Sequence, residues 1–311
     1  MARQAAEITS LTYALLVELH ANGRASVSEL ARSLGAPAPD VRRALQRLTS
    51  TGALKFSVYV DPAYTGRPVV AFFAVSTDGD VESVGRDLAN EAAVKWVTHS
   101  DDESVRAQVS VADNDALLAL VNRIRALPHV SRVESTMLLR GVALPLQPLR
   151  GRDSVLRRID FLGSARVEPL AGIDRILVDA LQRNGRASYT ELASLAGLSI
   201  SAARQRFLRL EAAGVFTVRG APGKDAVDLR ACAALEITIT TDGSSVVSDL
   251  MAVQNMAYVV EVVGGYDIFG EVLCVDEEQL QLRVAEVRAL PGVASCVVRR
   301  YRKNVKNDSV F

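Results

Sequence analysis

Apolar positions in the second half of the chain fall first into helical period. Ile173, Ile176, Leu177, Ala180 and Leu181 recur at i, i+3, i+4, i+7 and i+8, the stripe of an amphipathic helix. Asn184-Gly185 is expected to stop it, since both residues tolerate the left-handed conformation of a helix end. Ser188-Tyr189-Thr190-Glu191 then reads as a capping box opening a short helix with Leu192, Ala193 and Leu195 apolar. Gly197 breaks that helix, and Ser199 can cap a third from Ile200 to about Ala213. In it Ala203, Phe207 and Leu210 would face inward, Arg204, Gln205 and Arg209 outward, and Arg206 would flank the buried stripe.

Beyond the helices the period changes to two. Leu235–Thr240, Val259–Val263, Tyr266–Val275 and Val293–Tyr301 read as strands, with helices at Ser244–Ala252 and Asp276–Arg288. The order βαββαβ is the ferredoxin-like arrangement. The first half follows suit: strands at Val69–Val75, Val94–Thr98, Ser104–Val111 and Val130–Leu139, helices at Val81–Asn90 and Asp113–Leu127. One face of each sheet would be covered by its two helices, and the other, carrying alternate residues of Val69–Val75 and Leu235–Thr240, needs cover from the other sheet.

The two halves are copies. Residues 22–54 begin Asn22-Gly23-Arg24-Ala25-Ser26, and residues 184–216 begin Asn184-Gly185-Arg186-Ala187-Ser188; about thirteen of 33 positions are identical at a constant offset of 162. The expected fold class is α+β, with two winged-helix-like helix-turn-helix domains and two ferredoxin-like βαββαβ domains. The expected boundaries are 1–60 and 61–142 for the first pair, 143–170 for a linker, and 171–226 and 227–311 for the second pair.

Composition narrows the classes. The chain has 311 residues, 49% hydrophobic and 23% charged, with a formal net charge of zero. No apolar run approaches the ~18 residues of a membrane span, no signal-peptide core follows Met1, and a cytoplasmic protein is expected. Cys232, Cys274 and Cys296 lack a C-x-x-C spacing, so no disulfide framework, metal site or cofactor is expected.

Charge is local. Arg24, Arg32, Arg42, Arg43 and Arg47 in the first copy, and Arg186, Arg204, Arg206 and Arg209 in the second, outnumber the nearby acids. A tri-helix with a tight turn before its third helix places that helix in a major groove, where arginine's planar fork meets guanine or phosphate. The expected partner is double-stranded DNA, contacted by Arg42, Arg43, Arg47, Ser199, Ser201, Arg204, Gln205, Arg206 and Arg209. Pro145, Pro148, Arg150, Arg152, Arg157 and Arg158 fit a solvated linker, and Arg299-Arg300-Tyr301-Arg302-Lys303 a solvated basic end.

The run Leu198-Ser199, Arg206, Arg209-Leu210-Glu211 and Gly214-Val215, with Gly264-Gly265-Tyr266-Asp267 and Leu290-Pro291-Gly292-Val293, resembles the Lrp/AsnC regulators; Gly52, Asp61-Pro62 and Gly66 match in the first half. The resemblance covers about 280 residues. It implies a transcriptional regulator that dimerises through its sheet domains, assembles further as a homo-oligomer and responds to an amino acid or other small molecule. It also implies an effector site at Gly264, Gly265, Tyr266 and Asp267, where the glycines allow close backbone approach and Asp267 could hold an ammonium group. The first half has Asp101-Asp102-Glu103-Ser104 there, so no effector site is expected in it. Ala44 and Pro37 stand where the second copy has Arg206 and Ser199, so the two reading helices should differ.

The alternative is an enzyme. Paired decarboxylases of the haem pathway resemble Lrp/AsnC proteins but carry a His-Asn-Tyr-type motif. Here His20, His99 and His129 are not followed by Asn-Tyr, and His99 beside Asp101 and Asp102 reads as a lone exposed histidine. The expectation is therefore a regulator and no enzyme.

Overall fold

The computed structural model describes residues 10–143, 159–161, 167–222 and 229–307. Arg150, Arg152, Arg157 and Arg158 lie outside the described residues. The described chain forms two compact units, each drawing on both copies of the repeat. One holds the helical segments up to Asp61 and from Leu170 to Leu229; the other holds the sheet segments.

In the helical unit, α1 (Ser10–Ala21), α2 (Val27–Ser33) and α3 (Ala38–Ser50) lead into β1 (Leu54–Val60). The second copy repeats this as α6 (Gly172–Arg183), α7 (Tyr189–Ala196), α8 (Ile200–Ala212) and β7 (Phe216–Pro222). Both expected capping boxes form: Ser26 and Ser188 accept from the amides of Glu29 and Glu191, whose carboxylates reach back to the serine amides. Gly197 ends α7 in the left-handed conformation, with φ of 64°.

The strands β1 and β7 are not in the periodicity reading. They pair antiparallel with Ser57 opposite Arg219, its own counterpart at the 162-residue offset. The two helix-turn-helix copies are thus joined about a local two-fold. The Asn-Gly pairs serve this junction rather than a left-handed turn, which corrects the expectation. Gly23 and Gly185 have no positive φ, and a Cβ at Gly23 would meet the Arg219 backbone at 2.8 Å. Gly23 also donates its amide to the Val218 carbonyl at 3.0 Å.

In the sheet unit the first copy supplies β2 (Val69–Thr77), α4 (Val81–Asn90), β3 (Val94–Ser100), β4 (Val105–Val111), α5 (Asn114–Arg125) and β5 (Val130–Ala143). A short β6 (Ile159–Phe161) follows. The second copy supplies β8 (Ala231–Ile239), α9 (Gly243–Ala252), β9 (Met256–Val263), β10 (Ile268–Cys274), α10 (Glu277–Arg288) and β11 (Val293–Asn307). The last strand of each copy runs longer than the periodicity suggests because it changes partner. β5 pairs with β2 and then with β9; β11 pairs with β8 and then with β3.

The hydrogen-bonded ladder β2-β4-β3-β11-β8-β10-β9-β5 closes where β5 meets β2, and β6 adds to β5. Closure removes the exposed edges that two separate sheets would keep. One apolar core lies under α4 and α5 around Phe73, Val97 and Leu120; another lies under α9 and α10 around Leu235, Val259 and Val284. The other sheet faces meet inside the ring. Phe72 stacks 4.2 Å from Phe269, and Trp96 lies edge-on to Tyr301 at 5.2 Å.

The basic end is not a solvated tail. It lies in β11, where Arg299 pairs with Glu236 and Asp102, Arg300 with Glu277 and Asp101, and Lys303 with Glu82. His99 is likewise buried rather than exposed, with Nδ1 3.4 Å from a Glu82 carboxylate oxygen. No helix among the described residues is long and apolar enough to cross a membrane.

Candidate nucleic-acid interface and ligand cavity

The third helices present the expected arginines unequally. On α3, Val41 and Leu48 are buried while Arg42, Arg43 and Arg47 are exposed. Arg43 is ion-paired to Asp40 one turn away, and the guanidinium groups of Arg42 and Arg47 have no partner among the described residues. On α8, Ala203, Phe207 and Leu210 are buried, with Arg204 and Gln205 exposed and unpartnered among the described residues. Arg206 and Arg209 behave differently: both bind the Asp174 carboxylate of α6, at 2.6 and 2.9 Å.

Ser199 is the N-cap of α8, its hydroxyl accepting the Ala202 amide at 3.2 Å and lying 3.1 Å from the Ser201 hydroxyl. Pro37 caps α3 without a side-chain bond. Arg24 and Arg186, counted in the basic patches, are not outward-facing. Arg24 donates to the carbonyls of Gly185 and Ala187, and Arg186 to that of Ala25. They lock the two copies together through these carbonyl bonds.

The four expected effector residues also divide. Asp267 accepts the Ile239 amide at 2.9 Å, so one carboxylate oxygen serves the backbone at the end of β8. A Cβ on Gly264 would meet Thr136 Oγ1 at 2.7 Å, which explains that glycine by close packing. Gly265 and Tyr266 instead line a cavity of about 440 Å³ inside the strand ring. That volume falls within the ~300–1,000 Å³ of small-molecule pockets.

The first-half turn lines the same cavity through Asp102 and Ser104. There Arg106 bonds Asp102 at 2.9 Å and Glu236 at 2.5 Å, and Arg299 bonds the same two carboxylates at 3.0 and 3.1 Å. Two arginines and two acids close a neutral ring of charge on an aromatic wall of Phe72, Trp96, Phe269 and Tyr301. Burial pushes the Asp102 carboxyl up, but the Ser104 hydroxyl and the Arg106 guanidinium outweigh it and hold it down at about 2. Burial raises the Tyr266 phenol, with Glu236 adding to the shift.

Sequence reading missed Asp102, Arg106, Glu236 and Arg299. The available signal was a charge between two apolar strand residues, as in Val105-Arg106-Ala107 and Leu235-Glu236-Ile237.

Comparison with known proteins matches residues 172–211 to the AsnC-type helix-turn-helix domain and residues 9–55 to a winged helix-turn-helix DNA-binding domain. The chain is 40% identical over 147 residues to the HTH-type transcriptional regulator LrpA of Mycobacterium tuberculosis, covering 46% of this chain and 90% of that protein. It is 34% identical over 85 residues to an uncharacterised HTH-type transcriptional regulator, PH0140, of Pyrococcus horikoshii, covering 27% of this chain and 54% of that protein.

Among solved structures, the siroheme decarboxylase NirDL superposes with a TM-score of 0.65 at 12% identity, over 97% of this chain and 94% of that one. The expectation that the chain is no enzyme is overturned here. An enzyme has this duplicated fold along nearly its whole length, so the fold does not separate catalysis from regulation. At that identity the likeness is one of fold alone.

Proposed function

We propose, from the premise that this chain belongs to the Lrp/AsnC family of transcriptional regulators, that its two helix-turn-helix copies bind double-stranded DNA through α3 and α8 and that a small molecule in the sheet-unit cavity modulates that binding. Arg42 and Arg204 carry the reading. They occupy equivalent positions on the two third helices, both exposed and both without a carboxylate partner among the described residues. Arg43, Arg47, Ser201, Gln205 and Arg209 flank them, Arg206 borders the buried stripe, and Ser199 orients the start of α8.

Affinity falls as salt rises, by about 0.9 in the log–log slope for each phosphate neutralised. Arg42→Ala and Arg204→Ala each lower affinity by about 1–3 kcal/mol where a base is read, and shallow the slope by about 1 where a phosphate is held. Anisotropy titrations of the full chain against duplex fragments from around its own gene test this; salt-independent binding would sink it.

An amino acid is the effector class we favour. A zwitterion offers one charge of each sign to the neutral ring of Asp102, Arg106, Glu236 and Arg299, and the aromatic wall suits an apolar side chain. Chains associate further through exposed apolar positions such as Leu139 and Val263 on the paired strands β5 and β9, which light scattering would register.

A further inference from the structure

We propose that Asp174 is a counter-charge that withholds the arginines of the second reading helix from DNA, so that the first helix-turn-helix supplies most of the non-specific affinity. This rests on the reading that the helical unit binds DNA. The duplication provides the comparison. Asp174 sits in the first turn of α6, one oxygen bound to Arg206 at 2.6 Å and the other to Arg209 at 2.9 Å. The equivalent residue of α1 is Thr12, which has no charge. Ala44 replaces Arg206 in the first copy, and Arg47 keeps the place of Arg209 but has no side-chain partner among the described residues.

The physical consequence is a competition. The Arg206 and Arg209 side chains are 36% and 61% exposed, so water and phosphate reach them, and neither pair is worth much alone. One carboxylate shared by two guanidiniums is a stronger hold, because both bonds are charge-assisted. A phosphate arriving at either arginine must displace that carboxylate or approach it, and like charges repel. Counterion release counts only arginines free to neutralise phosphate. On that count α3 brings Arg42 and Arg47, and α8 brings Arg204 alone.

The test titrates the full chain against a labelled mixed-sequence duplex of roughly 30 base pairs over a range of salt, which reports phosphate contacts without an operator. Asp174→Asn, and Asp174→Thr, which copies the first half, are expected to tighten binding about 3- to 30-fold near 100 mM salt and to steepen the salt slope by up to about 1.8. Arg206→Ala with Arg209→Ala in the Asp174→Asn background should return both values to near wild type. Thr12→Asp gives α1 the acid that Asp174 gives α6 and should weaken binding and shallow the slope by about 0.9.

A folded Asp174→Asn chain with unchanged or weaker binding overturns the proposal. Thermal melts establish folding; if both Asp174 variants unfold, Thr12→Asp decides, and an unchanged slope in it is equally fatal. A wild-type chain without DNA affinity supports the proposal if Asp174→Asn gains it. If neither binds, the regulatory reading falls together with this one. Wild-type binding that Asp174→Asn leaves untouched removes only this one.

Discussion

The guanidinium of Arg24 lies 4.7 Å from the ring centroid of Phe207, a core residue of the other helix-turn-helix copy. It also lies 5.2 Å from the Tyr189 ring, and Arg186 returns the contact by lying 4.8 Å over Phe56. The arginine of each Asn-Gly-Arg-Ala-Ser segment therefore holds the opposite copy. Burial first, and then the Arg24 charge, lower the pKa of Arg186.

Replacing Arg24 by Ala removes two carbonyl bonds and two ring contacts at once. The expected loss is about 2–4 kcal/mol of stability, read from urea denaturation. Arg24→Lys should recover little, since an ammonium cannot present the same planar fork. The salt slope of DNA binding should stay at its wild-type value, because Arg24 is not aimed at phosphate.

Acid should weaken the helical unit before it reaches the carboxylate range. His20 donates its Nδ1–H to the Gly220 carbonyl at 3.0 Å, while its Nε2 is buried without a partner among the described residues. Burial first, then the Arg219 charge, pull its pKa from 6.5 down to about 4. The folded state thus binds the proton less readily than the unfolded chain. The stabilising difference is fully present above pH 6.5 and is lost as pH falls toward 4. The loss is on the order of 3 kcal/mol. Urea midpoints at pH 7 and 4.5 should differ more in wild type than in His20→Phe; equal differences would contradict this.

Gly85 offers a reversal of helix propensity. It lies inside α4, where alanine would ordinarily stabilise by about 1 kcal/mol. A Cβ there would fall 2.4 Å from Nε2 of the buried His99. Gly85→Ala should therefore destabilise by about 1–3 kcal/mol through overpacking. A stabilised variant in chemical denaturation would show that His99 moves freely.

The chain's one tryptophan, Trp96, lines the cavity, so its fluorescence reports occupancy. L-phenylalanine should quench or shift it saturably, with about one site per chain. Phenylacetate and phenethylamine, each lacking one charge, should bind at least about tenfold more weakly, because a buried unpaired charge costs more than 1.4 kcal/mol. Gly265→Trp fills the space beside Tyr266 and should abolish the response in excess ligand, seen by calorimetry. Asp102→Asn should weaken it too, although Asp102 belongs to the first half.

What the sequence disclosed tracks how local the cause was. Capping boxes, the Gly197 turn and the buried stripe of α8 depend on residues a few positions apart, and periodicity showed them. The partner change of β5 and β11 did not show, because it depends on strands from the other copy. Nor did the charge ring: Asp102 looked like a lost glycine turn, and only the pairing of β11 with β3 brings it to Arg299. Arg24 and Arg206 looked alike as helix-unit cations, yet one is spent on the Gly185 and Ala187 carbonyls and the other on Asp174. Composition cannot tell these fates apart.

The pairing of Ser57 with Arg219 joins two copies that share one polypeptide. A regulator assembled from two separate subunits loses its paired form on dilution, and its operator occupancy then rises with a power of its concentration above one. Here the pairing of the two reading helices does not vary with concentration, since the partner's effective concentration is fixed by the chain itself. Occupancy by a single chain should therefore rise in simple proportion to copy number at low expression, without a threshold.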